Sequence, residues 1–306
     1  MGGTAPAVPH HESGLTLLLL QGLVLGVLVG GMYALMASGL TLIFGVMRLI
    51  NIAHAAIIIF ASYLSWQLLL QLGLDPLLSI VVLVIVFFIG GALLQKYVLS
   101  ALIDKDLSLA LLATLGVANV LEGMEGAVWT SSFHAINTGY SDQTYHLGEV
   151  YIPLIRIITF AASVILLCGL YVLLTHTNLG RAIRATTQNR SVAQLVGVNV
   201  NRITMIAFGI GIAVAAAAGP LMGMYYPFYP DSHWGWIGKL MAIVVLGGLG
   251  SFRGTLVAAL ILGIAEQVTI LYVPANWAAT VFFVFLFAVL IVRPQGFFGH
   301  VARESL

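Results

Sequence analysis

Charge is what this sequence has least of. Only 8% of its 306 residues are Asp, Glu, Lys or Arg, while 60% are hydrophobic. A soluble domain carries about 25% charged residues, so most of this surface is solvated by lipid rather than water. The net charge of +1 leaves no basic footprint for a phosphate backbone, which excludes nucleic acid as a partner. The single cysteine, Cys168, has no second thiol to pair with and reads as a small core residue. No HExxH and no paired Cys/His set points to a metal. No G-x-x-x-x-G-K-[ST] occurs, because Gly238-Lys239 is followed by Leu240. The chain therefore has no phosphate-binding loop, and no cofactor is expected on it. No nucleophile–base pair can be assembled either, so it is not expected to be an enzyme. The opening residues, MGGTAPAVPHHESG, lack a basic n-region, and the apolar run behind them does not stop at a cleavage site, so a removed signal peptide is not expected.

What the chain has in abundance is long apolar runs. They fall at about 15–44, 52–71, 77–97, 107–129, 151–175, 203–226, 237–250, 254–273 and 276–292. A membrane-crossing helix needs about 20 such residues. The runs are continuous rather than alternating, which favours helices over the strands of a barrel. The fold class expected is all-α: a polytopic membrane protein with about 8–10 transmembrane helices, some of them broken or re-entrant half-helices.

The joints between runs set the orientation. Residues 130–150 contain Asp142 and Glu149 but neither Lys nor Arg, whereas residues 176–202 contain Arg181, Arg184, Arg190 and Arg202 and no acid. The positive-inside rule places the second joint in the cytoplasm and the first outside. Alternating the remaining joints puts Arg48, Lys96, Lys105, Arg253, Arg293 and Arg303 inside as well, ten of the twelve basic residues in all. Arg156 and Lys239 are the exceptions, near the outer ends of their runs, where long side chains can snorkel to headgroups. The outer segment 225–236, YYPFYPDSHWGW, has the Tyr and Trp of an interfacial belt. The chain then divides into an external N-terminal segment (1–14), a transmembrane domain (15–292) carrying a cytoplasmic loop at 176–202, and a cytoplasmic tail (293–306).

Two runs depart from simple rods. Residues 15–44 would make a helix of about 45 Å against a hydrocarbon core of about 30 Å, so that run is tilted, broken or two elements. Residues 237–250 are short and end in GGLGS. The stretches LTLIFGVMRLINIAHAAIII (Leu40–Ile59) and MAIVVLGGLGSFRGTLVAAL (Met241–Leu260) share a pattern: apolar half-span, glycine break, one arginine, another apolar run. Interrupted segments at matching places point to an internal inverted repeat around a midplane path. Asn51, His54, Gly247, Gly248 and Gly250 at these breaks are candidate path or gate residues. So is Glu266, since an ionisable group inside lipid is expensive. Glu122 and Glu125 share a helix face near an outer end, where a role in the path and a solvated rim both remain open. Gly22, Gly26 and Gly30, and likewise Gly219 and Gly223, recur at four-residue spacing that permits close helix packing, and Pro220 is expected to kink its span.

The basic stretch GRAIRATTQNRSVAQLVGVNVNRI (Gly180–Ile203) holds a third of the chain's positive charge. From Arg181 to Val196 its apolar residues recur at helical spacing. It reads as a short helix on the membrane surface, capped by Asn178 and ended near Gly197. Topology alone needs no such pattern. The arrangement Gln188-Asn189-x-x-x-Ala193-x-x-x-Gly197 offers a protruding surface that a partner could push.

This stretch, together with GLTLIFGVMRLINIAHA (Gly39–Ala55) and VVLGGLGSFRGTLVAALILGIAEQ (Val244–Gln267), resembles the permease subunit of branched-chain amino acid ABC importers, specifically the H-type member of the two-permease Liv system. The resemblance covers nearly the whole chain from Leu15 onward. It implies a permease of the bacterial inner membrane that encloses a path with a second, homologous permease or with itself. It further implies a periplasmic solute-binding protein outside and two cytoplasmic ATPase subunits, which hold ATP and Mg. The helix bearing Arg181, Arg184, Gln188, Asn189, Arg190, Ala193 and Gly197 would couple to those ATPases. One departure concerns cargo. The family usually follows NIAH with glycine and an acid, where this chain has Ala55 and Ala56. Permeases of the wider group for urea, short amides or small carboxylic acids are the alternative, and an ion-coupled secondary transporter using Glu266 is a more distant one.

Overall fold

The computed structural model describes residues 11–103, 105–147, 150–293 and 295–298. Most of the expected N-terminal segment (1–14) and tail (293–306), with Arg303, and Glu149 of the 130–150 joint lie outside them.

Each expected apolar run is a helix. They are α1 (His11–Met47), α2 (Ala53–Leu72), α3 (Pro76–Leu94), α5 (Leu107–Trp129), α6 (Leu154–His176), α9 (Val200–Tyr225), α10 (His233–Gly247), α11 (Phe252–Tyr272) and α12 (Ala275–Val292). Short pieces join them: a π-turn (Gln95–Leu99) and α4 (Ser100–Ile103) extend α3, and α7 (Asn178–Gln188) and α8 (Arg190–Leu195) fill the basic joint. Among the described residues, seven helices are long and apolar enough to cross a membrane. The other two, α10 and α12, are shorter, and α10 is the half-length element expected before GGLGS. The 130–150 joint forms a small antiparallel hairpin, β1 (Thr144–Leu147) with β2 (Val150–Pro153).

Local chemistry fixes the ends. Asp75 accepts from Leu77 N at 2.8 Å with Pro76 in the first turn, and Asp106 accepts from Ser108 N at 2.8 Å. Asn199 and Ser251 cap α9 and α11 in the same way. These side chains satisfy donors that the first turn leaves free. Gly73, at φ +63°, closes α2.

The first run is one unbroken helix of 37 residues. At 1.5 Å per residue it is about 55 Å long, so it crosses obliquely or extends beyond the bilayer. Its glycine stripe behaves as its spacing predicts. Gly26 lies against Ile264, Gly30 against Leu260, and Gly263 of α11 fits between the α1 glycines. Gly219 of α9 packs on Ile58 and Ala61 of α2, and Gly223 on Ile136 and Phe228. The core is built from α9, the first half of α2 and the second halves of α1 and α10, all of which bury most of their residues. Helices α3, α5, α6 and α12 turn Val81, Ile85, Ile89, Val120, Ile165, Val172, Val284 and Phe287 outward, as lipid-facing helices must. α9 continues through Pro220.

The glycine pattern at Gly45 is not a break, because α1 passes through it and turns only at Arg48, whose φ is +54°. Gly250, after α10, lies beside Gly45, near the end of α1. Both helices therefore run towards the same face before their hairpins return. The two segments are alike in direction, so an inversion does not relate this particular pair.

Candidate functional site

Nine of the twelve basic residues gather on that face. Arg184 and Arg253 line a cavity of about 450 Å³ with Thr41, Gly45, Thr187 and Gly250. Lys96, Arg190 and Arg202 line a second, of about 410 Å³, with Met47. Arg48 lies in a third with Arg190, Lys105 follows the α4 turn, and Arg293 ends α12.

The basic joint forms a helical elbow rather than one helix. Thr177 caps α7 by accepting from Gly180 N at 3.0 Å, so the expected cap Asn178 is instead the partner of Arg181. Arg184 donates to the Leu174 carbonyl, tying α7 back to the end of α6. The chain breaks at Asn189, which caps α8 through Val192 N at 3.1 Å. α8 stops at Leu195, and Gly197 follows at φ +86° with its N–H on Gln194 O, close to the expected end. Arg181, Arg184, Gln188, Asn189, Arg190 and Gly197 are exposed. Ala193 is not: it is 2% exposed, so no partner can reach it from outside. The protruding tip is apolar instead, with Leu195 86% and Val196 72% exposed. Their hydrophobicity hid them in a sequence where apolar residues are the background.

The elbow rests on the two hairpin turns. A Cβ at Gly45 would meet Gly250 at 3.6 Å and Thr187 of α7 at 3.7 Å. Gly248 and Gly250 take φ +97° and +80°, a region that favours glycine, and Gly247 is pressed against Gly254. The carbonyls left free at the end of α10 are taken by the chain after α12, where Phe297 N reaches Leu246 O at 2.7 Å. These glycines build a turn under α7. Thr41 of α1 and Thr255 of α11, 2.7 Å apart, bind the end of α1 to the helix that follows the turn.

Asn51 and His54 are buried and line no open passage in this state. His54 Nε2 donates to the Met36 carbonyl at 2.9 Å and pins α2 to α1. Asn51 is 1% exposed, and neither its amide nitrogen nor its oxygen has a hydrogen-bond partner among the described residues. Ala55 and Ala56 are also fully buried, so a carboxylate at this place would sit in the core.

Glu266 lies at the centre of a buried polar cluster in the opposite half. It accepts from Lys239 Nζ at 2.6 Å and from Tyr33 OH at 2.7 Å, and Tyr33 OH is 3.1 Å from that of Tyr226. The Lys239 ammonium also faces the rings of Trp236, Tyr33 and Phe282 at 5.2–5.9 Å. Beside it Arg156 donates to Gln267 Oε1 at 3.2 Å and lies over the Tyr225 ring at 4.9 Å. Both basic exceptions are thus held by internal partners, not stretched to headgroups.

Residues 22–292 match the profile of the family described as branched-chain amino acid transport system, permease component. The chain belongs to this family. It is 29% identical to the high-affinity branched-chain amino acid transport system permease protein LivH of Escherichia coli (strain K12), over 95% of this chain and 98% of that protein. It is 31% identical to the corresponding protein BraD of Pseudomonas aeruginosa, over 94% and 98%. A probable LivH of Methanocaldococcus jannaschii is 30% identical, over 89% and 90%. No solved structure matches significantly. The chain is therefore a multi-pass membrane permease of the ABC importer kind, as its sequence motifs imply.

Proposed function

We propose that this permease forms, with a second homologous permease or with a copy of itself, the path for branched-chain or related amino acids across a bacterial inner membrane. On this reading the basic face is cytoplasmic, in keeping with the positive-inside rule. Two ATPase subunits, which carry ATP and Mg, grip the α7–α8 elbow, and a periplasmic solute-binding protein delivers cargo to the opposite face. The observation that carries the proposal is the elbow itself. It projects apolar Leu195 and Val196 beside exposed arginines, and it rests directly on the Gly45 and Gly250 turns. Nucleotide-dependent closure of the ATPases would push α7. The turns at the ends of α1 and α10 would take up the displacement, shifting the population between outward-open and inward-open forms. Such a shift requires only that the nucleotide states bind the two forms differently.

Leu195→Asp tests this in proteoliposomes holding the complete transporter. A carboxylate at the tip should reduce leucine uptake by about tenfold or more, because it places an unpaired charge in a desolvated interface. Insertion and thermal stability should be unchanged, since Leu195 touches little of its own chain. Uptake within a factor of about two of the parent would remove the elbow as the point of coupling.

A further inference from the structure

In the half opposite the basic face, a cleft of about 390 Å³ opens between α5 and the turn at Pro230–Ser232, with Asn119, Glu122, Gly123 and Asp231 in its wall. Asn119 is exposed and the Glu122 side chain is 33% exposed, although both belong to a membrane-crossing helix. An amide and a carboxylate turned to hydrocarbon are expensive, so this face of α5 meets water or a polar group. Gly116 and Gly123 keep the face open, since a Cβ at either would touch nothing.

Behind the wall stands a histidine with one idle nitrogen. His233 is fully buried, and its Nδ1 lies 2.9 Å from the Pro230 carbonyl, which only accepts. Nδ1 therefore carries the hydrogen, and a neutral ring leaves Nε2 as an acceptor. Nε2 has no hydrogen-bond partner and faces Glu122 Oε2 at 3.7 Å. A carboxylate also only accepts, so two lone-pair acceptors confront each other. One turn along the same helix, Glu125 is buried with neither oxygen partnered. Arg156 and Lys239, the Lys and Arg of this half among the described residues, are engaged by Gln267 and Glu266.

We propose that this cleft is a subsite for a protonated amine, held between Glu122 and His233 Nε2 on the cargo's way into the path. The inference deepens the amino-acid reading above and rests on it. An α-ammonium group brings the charge and the three N–H donors that these acceptors lack. A nitrogen about 2.8 Å from each atom, the length of a charge-assisted hydrogen bond, can bridge their 3.7 Å separation once the Pro230–Ser232 turn gives way to bare Nε2, which is buried in this state.

The test uses the assembled transporter with its partner subunits, in a Cys168→Ser background. Gly123→Cys places a thiol in the wall. A cationic methanethiosulfonate should modify it about tenfold faster than an anionic one, because an acidic cleft concentrates cations. Adding Glu122→Gln should abolish that preference. Leucine should protect the thiol, while 4-methylpentanoate, the same skeleton without the amine, should not. Glu122→Gln should also lower leucine uptake by about tenfold, the worth of a charge-assisted hydrogen bond, and Glu122→Asp should restore part of it with the complex intact. Equal reagent rates, equal protection by 4-methylpentanoate, or undiminished uptake would overturn the subsite and leave the amino-acid reading standing. A thiol shielded in the complex but reactive in the isolated chain would assign the cleft to the second permease and overturn it too. If the parent transporter takes up none of leucine, isoleucine and valine, the cargo reading fails instead, and the reagent ratio still reports on the cleft.

Discussion

Glu266 shows how a single residue can be found in a sequence and its purpose missed. An acid in LGIAEQVTI is conspicuous because lipid tolerates so few, and its burial facing the bundle follows from its cost. Its partner was not legible. Lys239 lies 27 positions earlier in the chain, and only the packing of α10 on α11 brings the ammonium within 2.6 Å. Read alone, a lysine near a helix end is assigned to the headgroups. The pair forms because a buried carboxylate without a counter-charge costs several kcal/mol. Glu266→Gln leaves Lys239 uncompensated and should lower the unfolding free energy in detergent by about 3 kcal/mol. Lys239→Met with Glu266→Gln removes both charges and should cost clearly less than the sum of the single changes. Additive losses in a double-mutant cycle would mean that the two groups do not interact.

At the scale of elements, the boundaries of α1, α2, α5 and α9 follow their apolar runs to within a few residues, because hydrocarbon thickness and capping residues act locally. The elbow was only half legible. Its charge, its position and its glycine end are written in the sequence, but Asn189 can sit inside a helix or cap one, and spacing alone does not decide. The difference matters for Ala193. A small residue in the spacing Gln188-Asn189-x-x-x-Ala193-x-x-x-Gly197 reads as part of a docking surface, whereas the turn at Asn189 rotates it inward. Ala193→Glu should therefore act on folding rather than on coupling alone, burying an unpaired carboxylate at a cost of about 3 kcal/mol or more. The expected result is a lower melting temperature and less inserted protein, unlike Leu195→Asp. The α1–α11 contact gives a second element-scale expectation. Gly26 meets the backbone of Ile264, so Gly26→Leu must force the two helices apart. It should destabilise by about 1–3 kcal/mol, measured as a drop in the thermal unfolding midpoint. An unchanged midpoint would mean that α1 is free to shift.

For the whole molecule, the decisive relation is between the elbow and the two hairpin turns, and the sequence could not display it. Gly45, Thr187 and Gly250 are far apart in the chain, and glycines at a helix end look the same whether they hinge, pack or bind. Their mutual contact makes the basic face a mechanical junction: α6 leads into α7, α7 lies on the end of α1, and α1 touches the turn between α10 and α11. If force enters at Leu195 and Val196, it has to cross this junction to reach the polar cluster around Glu266. Gly45→Cys with Thr187→Cys, in a Cys168→Ser background, tests that passage. A Cβ at position 45 lies 3.7 Å from the Thr187 methyl group, the place a cysteine sulfur at 187 would occupy, so modest side-chain rotation can bring the two sulfurs to the bond length of about 2.05 Å of a disulfide. Oxidised, the crosslinked transporter should still bind and hydrolyse ATP but take up no leucine, and reductant should restore uptake. Uptake that survives complete crosslinking would mean that α7 and α1 move as one body, and the displacement would then have to be absorbed beyond them, at the Gly248–Ser251 turn.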